Sequence, residues 1–188
     1  MNFYSDKIIN DIIDKNLTED ILDLIEKFIE KSFVTISRYS IHDIQNQYIF
    51  NILEDKENII TFYCIDNEFN IENCPSILVY NKCKNLPKNE IIYYILLICT
   101  KRKFRNQGYA SKLLDDFIGR IKKENQNKLD FNIKVILSSV EESVTFYESY
   151  GFKWVYTETI DNHPVLSTYE KFDPKKEYFI MELNTEIA

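Results

Sequence analysis

Ile-Cys-Thr-Lys-Arg-Lys-Phe-Arg-Asn-Gln-Gly-Tyr-Ala-Ser-Lys-Leu-Leu, residues 98–114, is the stretch that decides how this chain folds. It closes an apolar run that begins at Ile91, passes through a basic loop and opens a helix. Ala110, Leu113, Leu114, Phe117, Ile118 and Ile121 recur at helical spacing, so one side of that helix faces a core. Its first turn starts on Gly108 and Ala110 rather than on bulky residues. The first four amides of a helix lack internal partners, and the macrodipole adds about half a positive charge there. Small residues let an oxyanion approach those amides closely, so the stretch predicts an anion site. Arg105 stands just before the helix, where a guanidinium can flank a diphosphate.

The chain alternates outward from this point as an α/β domain does. Ile8, Ile9, Ile12 and Ile13 suggest a short opening helix. Asn16-x-x-Glu19 resembles a capping box ahead of a second helix bearing Ile21, Leu22, Leu24, Ile25, Phe28 and Ile29. A strand is expected at Phe33–Tyr39, a helix at Ile41–Leu53, and strands at Ile59–Ile65, Ile77–Lys82 and Ile91–Thr100. After the Gly108 helix come a strand near Ile133–Leu137, a helix near Glu141–Tyr150, and strands near Phe152–Glu158 and Tyr178–Leu183. Ser139-x-x-Glu142 suggests a capping box for the later helix. No internal repeat or low-complexity linker divides the chain. The expectation is one domain at 33–188 with an N-terminal helical segment, residues 1–32, packed on it.

Bulk properties narrow the class. With 188 residues, 45% hydrophobic and 14% aromatic, the chain can bury a full core. A net charge of −7 argues against general nucleic-acid binding, which needs a basic face. An acidic surface favours a cationic acceptor. The N-terminal residues offer no signal-peptide apolar region, and Ile91–Cys99 is far short of the roughly 20 residues a membrane helix needs. A cytoplasmic protein with no membrane partner is expected. Cys64, Cys74, Cys83 and Cys99 form no CxxC pair, and His42 and His163 are the only histidines, so reduced thiols and no metal are expected.

Arg105-Asn106-Gln107-Gly108-Tyr109-Ala110 resembles the acyl-CoA-binding motif of the GCN5-related N-acetyltransferase (GNAT) superfamily, Arg/Gln-x-x-Gly-x-Gly/Ala. Phe146-Tyr147-Glu148-Ser149-Tyr150-Gly151-Phe152 is similar to the family's downstream Phe-Tyr-x-x-x-Gly-Phe signature. The resemblance covers about residues 33–184 in layout and is strongest over 91–155. It implies an α/β (α+β) fold with a mixed, mostly antiparallel central sheet and helices on both faces. It further implies transfer of an acetyl group from acetyl-CoA to a primary amine by direct attack in a ternary complex. The acceptor would be an amine-bearing small molecule or protein.

Such a reaction needs a held cofactor, a neutral amine, a stabilised oxyanion and a proton for the leaving thiolate. The resemblance implies cofactor contacts at Ile98, Cys99, Thr100, Arg105, Asn106, Gln107, Gly108, Tyr109, Ala110, Ser111 and Ser143. Ile98 and Thr100 would pair their backbone with the amide-rich pantetheine arm, as a neighbouring strand would. Tyr147 is the implied general acid, because a phenol can protonate a thiolate. Its alternative is a plain aromatic core residue beside Phe146, Tyr150 and Phe152.

Some positions depart from the family pattern. Val140 stands where many members carry a cofactor-contacting Asn, and Ser143 where many carry Ala. No acid lies within Ile91–Cys99, and Glu90 at its edge reads as solvated. The base is left open between ordered water, Glu142, Asp130 and His163. These departures keep a second class in view, an acyl-CoA-binding regulatory module without significant turnover. Lys101, Arg102, Lys103 and Arg105 are assigned to the cofactor's 3′-phosphate rather than to nucleic acid. The segment Thr159–Lys176, which carries His163, is either a wall of the acceptor site or a solvated loop. Gly119 inside the helix suggests a close helix–sheet contact.

Overall fold

The computed structural model describes residues 3–4, 52, 55, 57–63, 75–128, 130–168 and 175–185. The expected helices and strand of the first 53 residues lie outside these, apart from Phe3, Tyr4 and the helical Ile52. Among the described residues, seven strands form one sheet: β1 (Phe3–Tyr4), β2 (Asn58–Tyr63), β3 (Ser76–Asn85), β4 (Glu90–Thr100), β5 (Asn132–Val140), β6 (Lys153–Trp154) and β7 (Tyr178–Asn184). Their spatial order is β1-β2-β3-β4-β5-β7-β6. Every neighbouring pair is antiparallel except β4 with β5. Phe3 and Tyr4, within the segment expected to be helical, pair with Tyr63 and Phe62.

The parallel pair, β4 with β5, exists because a helix connects it. Helix α1 (Tyr109–Asn125) carries the chain back from the end of β4 to the start of β5. Leu113, Leu114, Phe117 and Ile121 are its buried stripe. They pack with Leu78, Tyr80, Ile91, Tyr93, Ile95, Ile133, Val135 and Leu137 in one core cluster. Burial of each such large side chain contributes about 1.5–3 kcal/mol relative to exposure. Helix α2 (Glu141–Glu148) joins the same face through Tyr147, with Phe152 just after it. The opposite face is covered by the helical Ile52 and by Ile160 and Leu166 of the chain before β7.

Three local expectations change. The strand placed at Phe152–Glu158 is only the two-residue edge strand β6. Val140, not Ser139, is the N-cap of α2, and Ser139 Oγ donates instead to the Val140 carbonyl at 2.9 Å. The strand continues through Ser139, which leaves its side chain on the wrong side of the helix start for capping. Gly119 makes no close contact, since a Cβ built there meets nothing within 4 Å.

Candidate active site

The β4–β5 ladder ends at Ile95↔Leu137, yet β4 runs on to Thr100 and β5 to Val140. A bulge in β4 explains the parting. Val79 pairs with Leu97 while Tyr80 pairs with Ile95, so Leu96 is an extra residue. The insertion reverses the alternation of side chains. Ile91, Tyr93 and Ile95 face the helices, Leu96 and Leu97 both face the other way, and Ile98 returns to the helix side. Beyond the bulge β4 follows β3 through Leu78↔Ile98, Ile77↔Cys99 and Ser76↔Thr100. β5 meanwhile follows β7 through Ser138↔Ile180, Ser139↔Phe179 and Val140↔Tyr178. A cleft therefore opens between two parallel strands at their C-terminal ends, where α/β sheets place ligands.

Both helices begin at this edge, on the same face. The link into α1 is a 3₁₀ turn at Arg102–Phe104, an extended Arg105, and two left-handed residues, Asn106 (φ 61°) and Gly108 (φ 76°). Gly108 is the N-cap, a conformation that costs L-residues with a Cβ about 1–2 kcal/mol. No side chain caps the helix, and its first turn holds no acid. The amides that open α1 are thus available to an anion. Arg102, Lys103, Arg105, Asn106 and Gln107 are exposed around them, whereas Lys101 is buried. Arg105 Nε reaches back to the Thr100 carbonyl at 3.4 Å, and Gln107 Nε2 to the Lys103 carbonyl at 3.3 Å. Thr100 Oγ1 shares a 2.7 Å hydrogen bond with Ser76 Oγ. Tyr109 packs between Phe104 and Tyr63 at centroid distances of 5.8 and 5.4 Å, which fixes the turn against β2.

On the other side of the cleft, Ser143 and Tyr147 stand one turn apart on α2. Tyr147 is 7% exposed, and its ring packs on Phe146 and Phe152. Burial pushes its phenol well above the ordinary tyrosine pKa. The hydroxyl is held protonated, as a proton donor must be. Its packing also satisfies the alternative of a core aromatic, since it belongs to the helix-side cluster.

The structure separates the proposed bases from this edge or occupies them. Asp130 precedes β5, at the end of the sheet away from the cleft. Glu142 pairs with Lys176 at 2.7 Å, which holds its carboxyl below the usual range. His163 is buried, and its Nδ1 accepts from the Val165 and Leu166 amides, both at 3.2 Å. Its proton therefore sits on Nε2, 3.7 Å from Glu158. Burial lowers its pKa, with Glu158 acting in the opposite sense. His163 also meets the Tyr94 ring edge-on at 5.4 Å, so this part of the Thr159–Lys176 segment is packed onto the sheet rather than solvated. Glu90 is not solvated either; it pairs with Lys134 at 3.1 Å.

Residues 82–172 match the family model described as the acetyltransferase (GNAT) domain. Over that stretch the chain is similar to the GNAT acetyltransferases. Solved structures share the fold. The ribosomal-protein-S18-alanine N-acetyltransferase of Escherichia coli aligns at 13% identity and TM-score 0.59, over 100% of this chain and 95% of that one. Tetrahymena GCN5 aligns at 12% and 0.56, over 93% and 92%. Arabidopsis thaliana Naa50, in complex with a bisubstrate analogue CoA-Ac-MVNAL, aligns at 16% and 0.51, over 87% and 93%. No curated protein sequence matches the chain. The bulge at Leu96 escapes sequence reading because every residue from Ile91 to Cys99 is apolar, so a reversal of facing leaves no trace.

Proposed function

We propose that the chain transfers an acetyl group from acetyl-CoA to a primary amine, by direct attack in a ternary complex. One observation carries the reading: a cleft between parallel strands flanked on one face by an uncapped, acid-free helix start and by a protonated tyrosine. The fit to CoA rests on this chain's own atoms. Gly108 has open space where a Cβ would stand, and the amides of Tyr109, Ala110 and Ser111 follow it. Arg105, Asn106 and Gln107 are exposed beside them and would flank the diphosphate, with Arg102 and Lys103 near the 3′-phosphate. Ile98 and Thr100 would pair with the pantetheine arm, Cys99 would lie between them on the other face, and Ser143 would border the arm from α2.

A backbone amide of β4 at the cleft would donate to the thioester oxygen as charge develops there. One such donor is worth about 10²–10³ in rate. Tyr147 would give its proton to the departing thiolate. Holding amine and thioester side by side supplies much of the remaining acceleration. With Glu142, Asp130 and His163 tied or remote, ordered water is the base this reading retains.

The test is thiol release from acetyl-CoA with and without a panel of amines, with product mass locating the acetyl group. Amine-dependent release with acetylated product supports the reading. Protection from melting by CoA with no amine-dependent release would instead establish a binding module.

A further inference from the structure

Two serines end β5, and they differ. Ser139 lies on the helix face and spends its proton on the Val140 carbonyl. Ser138 alternates to the opposite face, in line with Ile136 and directly paired with Ile180, both members of the second core cluster. Its hydroxyl makes no hydrogen bond among the described residues and is only half buried. Ser138 is also the first residue of β5 after the last rung joining it to β4, so it stands across the cleft from the bulge at Leu96. On that face its neighbours in the cluster, Leu97, Ile136 and Ile180, are apolar and offer it no partner of their own.

The geometry points to Ser138 Oγ as the contact for the acceptor amine. This rests on the acetyl-transfer reading of the cleft. The helix start at Gly108 and the Tyr147 ring both lie on the α1–α2 face, so the thioester enters from there with its sulfur towards Tyr147. The nucleophile must then reach the carbonyl carbon from the opposite face, where Ser138 is a hydroxyl-bearing residue at the cleft among the described residues. A serine hydroxyl offers two acceptor lone pairs and one donor. Accepting an N–H from a neutral amine turns the nitrogen lone pair towards the carbon, while the hydroxyl proton is given to water. When the C–N bond forms and the C–S bond breaks, the thiolate takes the Tyr147 proton. The surplus ammonium proton leaves through Ser138 and that water to solvent, and solvent returns a proton to the Tyr147 phenolate once the thiol departs, so both side chains end as they began.

The experiment uses the full chain with n-hexylamine, spermidine and a tetrapeptide with a free amino terminus, continuing with the one acetylated fastest. Ser138→Ala should lower kcat/KM for that amine about tenfold, the cost of one neutral hydrogen bond. The KM for acetyl-CoA and the protection by CoA against melting should stay at wild-type values. Ser138→Thr keeps the hydroxyl in a β-branched side chain that suits a strand, and should restore most of the loss. Wild-type behaviour of the alanine variant overturns the assignment. So does an equal rise in both KM values, or a threonine variant as impaired as alanine. If CoA protects the wild type and none of the three amines is acetylated, the chain is a binding module, and the Ser138 assignment falls together with the transfer reading. If CoA gives no protection, the reading of the whole cleft falls with it.

Discussion

The Phe152 amide donates to the Tyr147 carbonyl at 3.3 Å, across the left-handed Gly151 (φ 89°), while the two rings meet at 5.7 Å. This closure ends α2 and turns the chain so that Phe152 locks the ring of the residue whose carbonyl it bonds. The spacing of the Phe-Tyr-x-x-x-Gly-Phe signature is thus a helix stop. A Cβ at Gly151 would meet only Leu183 Cδ1, at an ordinary 3.5 Å, so backbone strain is the whole penalty. Gly151→Ala should cost about 1–2 kcal/mol, measured from the urea midpoint. An unchanged midpoint would mean the turn relaxes to another conformation.

Tyr147→Phe removes one oxygen that has no hydrogen-bond partner among the described residues. Folding stability and CoA protection should hardly move, while kcat falls by about 10²–10⁴. Steady-state kinetics beside a melting curve separates the two effects. Full kcat in this variant would return Tyr147 to the role of a core aromatic.

Buried tyrosines make the fold sensitive to alkali. Burial pushes Tyr94 up to about 12, and Tyr147 is raised in the same direction. In the unfolded chain both titrate near 10. Between these values the native state binds more protons than the unfolded one, so stability falls as pH rises. Full stability should persist below pH 10 and be lost progressively from there through about pH 12. Urea midpoints across that window measure it, and Tyr94→Phe should flatten the slope.

Gly119 lies exposed in mid-helix with nothing near its absent Cβ. Gly119→Ala should therefore stabilise the protein by about 1 kcal/mol, the propensity difference alone. A chemical denaturation curve shifted to lower denaturant would reveal a neighbour that the alanine disturbs.

Asn125 is fully buried at the end of α1 and donates to Tyr93 Oη at 2.9 Å and to the Ile121 carbonyl at 2.8 Å. It also accepts from Lys128 Nζ at 3.0 Å, and Tyr93 in turn donates to Glu124 at 3.1 Å. Asn125→Ala strands part of this network and should cost about 2–3 kcal/mol. The site lies about 25 Å along the helix from Gly108, so CoA affinity should be unaffected once the variant is folded. Isothermal titration with CoA below the melting transition checks this.

Much of the sheet and the α1 stripe was legible because burial leaves a period in the sequence. Leu113, Leu114, Phe117 and Ile121 recur as a helix face must, and β2, β3, β4 and β5 are apolar runs bounded by polar turns. Positive φ accounts for Gly108 and Gly151, whereas Gly119, expected at a close helix–sheet contact, has nothing near its absent Cβ. Ser139 misled because capping depends on where the helix starts to within one residue, and the strand extended through it. His163 was ambiguous because burial of a loop imidazole depends on where the loop lies, which Tyr94 and the amides of Val165 and Leu166 decide from elsewhere in the chain.

The sequence by itself determined the local grammar: a strand, a basic turn, an uncapped glycine-led helix, and a second helix stopped by Gly151. Those features depend on backbone sterics and on periodicity within a few residues, which linear order fully expresses. Only the tertiary structure decided that β4 gains Leu96 and parts from β5, and that Tyr147 and Ser138 fall on opposite faces of the opening. Strand register and side-chain facing come from pairing with partners far along the chain, and an all-apolar strand carries no mark of either.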